Sequence, residues 1–358
     1  MPDAPEGTVV SDQITQEELG LAVRNHALPL EALRYPITPA GLHYLLIHYD
    51  IPAVDADAFT LEVDGAVERP LSLSLDDLKQ RDRVSLPVTF ECAGNGRARL
   101  DPRPLSQPWL TEAVGTAEWT GTALAPLLAE AGVRQGAVEA LFRGLDRGFE
   151  SGVEQAYERA LALMETENAM LAYEMNGEPL PPQHGFPLRL VVPGWYGMTN
   201  VKWLAQITLL EEPFQGYQNA VAYRMYDADG VPGAPITRML PRSLMVPPGV
   251  PDFMSRQRHV APGPVTLQGR AWSGYGPVER VELSTDGGAT FADAELEPPL
   301  GRAAWRGWHH DWDAPAGEHV LCSRATDAAG NVQPLEALWN LKGYANNEVE
   351  RIRVVVAP

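Results

Sequence analysis

Cysteine is nearly missing from this chain: Cys92 and Cys322 are the only two in 358 residues. Two thiols cannot build a disulfide framework, so the composition fits a reducing compartment. No Cys-x-x-Cys-His run is present, which excludes covalent haem attachment, and no Gly-Lys-Ser/Thr follows Gly144 and Gly148, which excludes a phosphate-binding nucleotide loop. No apolar run approaches the roughly 18–20 residues needed to span a bilayer. The first residues, Met1 to Gly7, lack the basic and apolar regions of a secretory leader. A cytoplasmic location is therefore expected, or a periplasmic one if a leader has been removed. Basic residues are in deficit, 28 Lys and Arg against 47 Asp and Glu, for a net charge of −19. That balance excludes nucleic acid and anionic membrane as partners.

The acidic balance does not exclude an anionic substrate. A cation about 4 Å from an oxyanion is worth roughly 4 kcal/mol at an effective dielectric near 20. Carboxylates farther off than about 8–10 Å are largely screened at physiological salt. Two or three pocket cations outweigh a distant acidic surface, which serves mainly to keep the protein soluble.

With 45% hydrophobic residues the chain can bury two cores. Residues 1–245 mix helix and strand signals. Thr15-Gln16-Glu17-Glu18 is a capping box, and Ser74-Leu75-Asp76-Asp77 is a second helix start. Leu124, Leu127, Leu128 and Ala131 recur at helical spacing and predict one buried face. Val191-Val192 reads as a buried strand stopped by Pro193-Gly194. Proline and glycine crowd Leu240 to Pro264 and mark a connector. Beyond it, residues 246–358 carry short alternating strands such as Val265–Leu267, Val281–Leu283 and Val320–Cys322, the texture of an immunoglobulin-like β-sandwich.

The chemistry concentrates in Phe90-Glu91-Cys92-Ala93-Gly94-Asn95-Gly96-Arg97. Here a cysteine follows a β-like run and precedes a turn of small residues. Glycine lets backbone approach a partner closely, and the fixed charge of Arg97 favours thiolate over thiol. A thiolate so placed suits a soft metal; it also suits a buried structural cysteine at a strand end.

The loop resembles the Cys-Ala-Gly-Asn-x-Arg loop of the sulfite oxidase family of molybdenum enzymes. There the cysteine is the one protein ligand to a mononuclear molybdenum cofactor, here matched by Cys92. Further segments match in order: Val23-Arg24-Asn25-His26, Gly144-Leu145-Asp146, Glu174-Met175-Asn176-Gly177 leading into His184-Gly185-Phe186-Pro187-Leu188-Arg189, and Asn200-Val201-Lys202-Trp203. The resemblance implies an α+β chain. Its mixed α/β molybdenum-cofactor domain over 1–245 would precede an immunoglobulin-like dimerisation domain over 246–358. It implies that Cys92 holds the metal and that Val23, Arg24, Asn25, His26, Asp146, His184, Arg189, Asn200, Val201 and Lys202 surround the molybdopterin. It implies that Arg24, Arg97, Lys342, Tyr223 and Trp109 form the substrate pocket, because guanidinium forks match oxyanions.

The implied reaction is oxidation of sulfite to sulfate by oxygen-atom transfer. Electrons would leave to an external acceptor, a cytochrome-like protein or oxygen, and the enzyme would be a homodimer. The chain departs from the family at three places: Gly96 stands where arginine is usual, Ala222 where aspartate often precedes the tyrosine, and Lys342 where a third arginine is expected. Slower or weaker sulfite turnover is the expected consequence. Gln107 stands near where the family has a lysine. The alternatives are a nitrate or oxidised-sulfur reductase on the same cofactor, which Lys342 disfavours, and a non-catalytic binding protein. His43 and His48 are not at the i, i+4 spacing of a helical zinc pair and read as structural. His309-His310, among Trp305, Trp308 and Trp312, reads as strand packing.

Overall fold

The computed structural model describes residues 13–357; Met1 to Gly7 lie outside them. The expected helices form where their caps stand. Thr15 caps Gln16–Arg24 with a reciprocal Glu18 bond, and Ser74 caps Leu75–Lys79 in the same way through Asp77. Leu124–Ala131 buries the four residues that share its apolar face.

Two five-stranded sheets build most of the first region, with a small ribbon pairing Arg224–Tyr226 and Pro232–Pro235. One runs in the order Leu71–Ser74, Thr60–Gly65, Leu204–Leu210, Glu139–Glu150, Val153–Ala162. The other orders Arg83–Glu91, Val114–Ala123, Met170–Met175 and Glu178–Pro179, with Arg189–Val191 also on Met170–Met175. Leu61, Val63, Phe142 and Ile207 of the first sheet meet Leu171 and Leu190 of the second in one core, all fully buried.

The second region is a β-sandwich. One sheet holds Arg242–Met245, Gly263–Trp272, Arg306–Ala314 and Glu295–Leu296; the other centres on Gly317–Asp327 between Val278–Ser284 and Ile352–Val356. The sandwich thus takes in Arg242–Met245, paired with Gly269 to Trp272, ahead of the 245/246 division expected from the proline-rich connector. Leu267, Val281, Trp308 and Leu321 line its interior, and Cys322 is buried in a strand as a small core residue. Trp305 and Trp308 are fully buried, while His309 faces Glu295 at 3.2 Å on the surface.

The two regions share a core in which Leu28, Ala93, Val114, Tyr196, Leu244, Trp272 and Trp305 meet. One buried ionic contact crosses it: Arg242 Nε lies 2.8 Å from Glu91 Oε1, and both side chains are almost wholly enclosed. Trp272 Nε1 donates to the other Glu91 oxygen at 2.9 Å, and Asn95 Nδ2 donates to Oε1 at 3.0 Å. The residue before Cys92 is therefore clamped from the sandwich side.

Candidate active site

Cys92 comes directly after the strand Arg83–Glu91, and its backbone N–H donates to Ala113 O at 2.9 Å. The loop then turns sharply. Asn95 N–H donates back to Cys92 O, and Gly96 adopts φ +89° before a single 3₁₀ turn over Arg97–Arg99. A Cβ on Gly94 would stand 2.6 Å from the Arg97 guanidinium, so the small residue is what lets Arg97 fold over the loop. A Cβ on Gly96 would meet Asn346 at 2.9 Å in a backbone conformation that side chains rarely adopt. The arginine usual at this position has no room here.

The C-terminal segment closes the loop from the sandwich side. Ala345 N–H donates to Ala93 O at 2.8 Å, Asn346 Nδ2 donates to Gly96 O at 2.8 Å, and Arg97 Nε donates to Lys342 O at 2.8 Å. Arg97 also lies over the Tyr344 ring at 5.1 Å. Neither domain alone completes the site.

A cavity of about 870 Å³ opens beside the Cys92 sulfur, within the usual range for small-molecule sites. Of the expected residues, Cys92, Arg97, Trp109, Asp146, His184, Arg189, Asn200, Lys202, Tyr223 and Lys342 line it. Val23, Arg24, Asn25, His26 and Val201 do not. Val23, Arg24 and His26 are exposed, and Arg24 Nη2 donates to the Tyr49 carbonyl at 2.8 Å. Asn25 is buried but engaged with Gln107 Oε1 and the Ile47 amide. Val201 belongs to the first core. Arg24 and His26 stand exposed next to the cavity: Arg24 is coupled electrostatically to Lys202, and His26 to His43 and His184. The wall beside them is formed by Leu21 of the helix Gln16–Arg24 and by the segment Leu45 to His48, whose Leu45 bridges to His26.

One end of the cavity gathers cations and uncharged imidazoles. Arg189 gives Nη1 to His184 O at 2.9 Å and Nη2 to Asn200 O at 3.1 Å, and packs over Trp119 at 4.6 Å. Burial draws its pKa down to about 9. Lys202 donates to Leu46 O at 2.8 Å and Gln183 O at 3.2 Å, and burial with neighbouring Arg189 lowers it to about 7. Asp146 is pushed up to about 6 by burial, against the pull of Lys202. A break in register between Arg143 and Arg147 turns this carboxylate inward. Burial also lowers His43 to about 4 and His48 to about 3, with His184 lower still, so all three are neutral at pH 7.

The other end holds Arg97, Lys342, Trp109, Tyr223 and Tyr344. Tyr223 follows the π-helical turn Gln218–Ala222, and its hydroxyl lies 2.6 Å from His48 Nε2. Lys342 Nζ donates to Val221 O at 2.9 Å and packs over Tyr226 at 4.3 Å; burial lowers its pKa. Cys92 lies between the two ends, electrostatically coupled to Tyr44 beside Arg189 and to Tyr223 and Tyr344. Burial raises its thiol, while Arg97 and the Gly94 N–H pull it back toward thiolate. Sequence reasoning missed His43, Tyr44, His48, Glu150, Tyr157 and Tyr344 as lining residues. The signal for His48 was available: a histidine within the apolar run Tyr44-Leu45-Leu46-Ile47 needs a partner once buried.

Among the described residues no three His, Cys, Asp or Glu side chains gather into a metal cluster, and Cys92 is the one thiol that lines the cavity. Among the described residues, buried polar atoms at the cation-rich end that have no protein partner include His43 Nε2, His184 Nε2, Asp146 Oδ1 and Arg189 Nε. Unpaired buried donors and acceptors are costly, and here they call for a polar ligand that brings both donors and acceptors.

Comparison with known proteins identifies that ligand. Residues 48–218 match the oxidoreductase molybdopterin binding domain, and residues 235–357 match the Mo-co oxidoreductase dimerisation domain. The chain is 38% identical over 340 residues to sulfite oxidase of Gallus gallus, covering 88% of this chain and 72% of that protein. It is 37% identical over 347 residues to mitochondrial sulfite oxidase of Homo sapiens, covering 90% of this chain; it spans 62% of that relative's length. It is also 32% identical to the nitrate reductase of Hordeum vulgare, over 89% of this chain and 39% of that one. The sulfane dehydrogenase SoxCD of Paracoccus pantotrophus superposes with a TM-score of 0.82 at 27% identity, over 98% of this chain and 90% of that one. The unpaired atoms and the two cations fit a pterin bearing a phosphate, and the thiol beside them fits its metal. The chain belongs to the sulfite oxidase family of oxidoreductases, and its cofactor is a molybdenum-bearing molybdopterin.

Proposed function

We propose that the protein oxidises a small sulfur oxyanion of the sulfite class and passes the electrons to an external acceptor, a cytochrome-like protein or oxygen. When bound, the cofactor supplies two-electron oxygen-atom transfer, and the protein supplies position and charge. Cys92 would be the protein ligand to the metal. Arg189 and Lys202 would hold the pterin phosphate, while His184, Asp146 and Asn200 would meet its polar atoms.

Arg97 and Lys342 attract the substrate anion. Their donors toward the protein end on neutral carbonyls, so their charge is left for a ligand. Tyr223, fixed by neutral His48, offers a hydroxyl as donor to a substrate oxygen, and Trp109 walls the pocket. The matched dimerisation domain supports a homodimer.

One observation carries the reading: a lone buried thiol and cations that, among the described residues, close no ion pair share a single cavity with unpaired polar atoms. The test is a steady-state assay of the molybdenum-loaded protein with sulfite and ferricyanide, run beside nitrate with a reduced dye. Sulfite-dependent ferricyanide reduction supports the proposal; turnover of nitrate alone overturns it.

A further inference from the structure

The substrate end carries a carboxylate that the reaction does not require. Glu150 ends the strand Glu139–Glu150, and Ser151 and Gly152, both at positive φ, turn the chain into Val153–Ala162. This turn places Glu150, Ser151 and Gly152 on the cavity wall. Glu150 shares the cavity wall with Tyr217, Lys342 and Tyr344; burial raises its carboxyl, while the Tyr217 and Tyr49 hydroxyls and the Lys342 charge pull it back toward carboxylate. Lys342 is in turn coupled to Arg97. Among the described residues neither Glu150 nor Lys342 closes an ion pair within 4.0 Å. The other lining carboxylate, Asp146, answers Lys202 at the far end.

We propose that Glu150 sets the charge of the substrate: opposed to Arg97 and Lys342, it leaves one net positive charge and selects a singly charged sulfur anion over a doubly charged one. The proposal rests on reading the Arg97–Lys342 end as the substrate site. Attraction to a cationic site grows linearly with ligand charge, whereas the cost of removing the ligand from water grows with its square. A site of one net charge therefore holds a monoanion and rejects a dianion that a site of two or three charges would accept. Removing the Glu150 charge acts twice as strongly on a dianion as on a monoanion, measured in the logarithm of affinity.

The experiment titrates sulfate and methanesulfonate into the cofactor-loaded protein by calorimetry, for the parent chain, Glu150→Gln and Glu150→Asp. Glu150→Gln is expected to tighten sulfate roughly tenfold and methanesulfonate roughly threefold, and Glu150→Asp is expected to keep the parent pattern. Equal gains for both anions, no gain, or an Asp variant that behaves like Gln overturns the assignment while leaving the anion site intact. If neither anion binds any of the three proteins, the substrate site itself has been misread and the proposal falls with it.

Discussion

Lys202 joins the stability of the empty protein to its grip on the cofactor, and Lys202→Met separates the two. Burial and the nearby Arg189 bring the ammonium from its usual 10.5 down to about 7. At about 1.4 kcal/mol per tenfold change, the charged form costs at most about 5 kcal/mol, an upper limit because the residue keeps partial exposure. A base whose folded pKa is depressed binds fewer protons in the native than in the unfolded chain between those two values. Stability therefore rises with pH across that window. Between pH 7 and pH 9 the gain from this residue is about 2 kcal/mol. Most other buried groups titrate outside the window: Asp146 and Glu350 shift at or below about 7, and Arg189 from about 9 upward. Urea unfolding of protein prepared without cofactor, at pH 7 and pH 9, measures the difference. The Met variant should lose the pH rise, be more stable at pH 7, and release pterin more readily when loaded. A pH slope unchanged from the parent would refute the claim that burying the Lys202 ammonium without a bound phosphate costs stability.

Three further substitutions probe the loop and its clamp. Cys92→Ser should fold and retain pterin yet lose molybdenum-thiolate absorption and activity, checked by elemental analysis and oxidised-pterin fluorescence. Gly96→Arg, which restores the residue usual in the family, should lower stability by about 1–3 kcal/mol rather than improve sulfite affinity, because φ +89° and Asn346 leave it no place; thermal unfolding and KM decide. Arg242→Met should cost about 3–5 kcal/mol by leaving Glu91 charged and unpaired in the shared core. The double variant with Glu91→Gln should recover part of that loss in denaturant unfolding.

The helix caps at Thr15 and Ser74, the apolar stripe on Leu124–Ala131 and the strand texture beyond the connector were legible because each is set by neighbours in sequence. The Cys92 loop and the run from His184 to Lys202 were legible as motifs, since close backbone approach restricts which residues fit. Arg24 is set by both kinds of signal: the motif names it, and the preceding capping box makes it the last residue of a helix whose Leu21 reaches the cavity wall. His48 and Glu150, by contrast, were hidden. The neighbours that mark each as a site residue lie far off in sequence: His48 is hydrogen-bonded to Tyr223, and Glu150 shares the cavity wall with Lys342. No local pattern marks such a neighbour.

These distant contacts explain how so acidic a chain can hold an anion. The C-terminal segment of the sandwich brings Lys342 and Tyr344 to Arg97, and the clamp on Glu91 spends that carboxylate on Arg242 rather than on the cavity. Among the described residues, Asp146 and Glu150 are the only acidic side chains that line the cavity, against Arg97, Arg189, Lys202 and Lys342. The local balance is positive while the whole chain is strongly negative, and screening over about 8–10 Å keeps the two apart. Substrate attraction should therefore survive physiological salt, whereas encounter with a basic electron acceptor, which the outer charge would steer, should weaken as salt rises. Comparing the salt dependence of KM for sulfite with that of the rate toward a basic cytochrome measures this; parallel slopes would show that one field governs both.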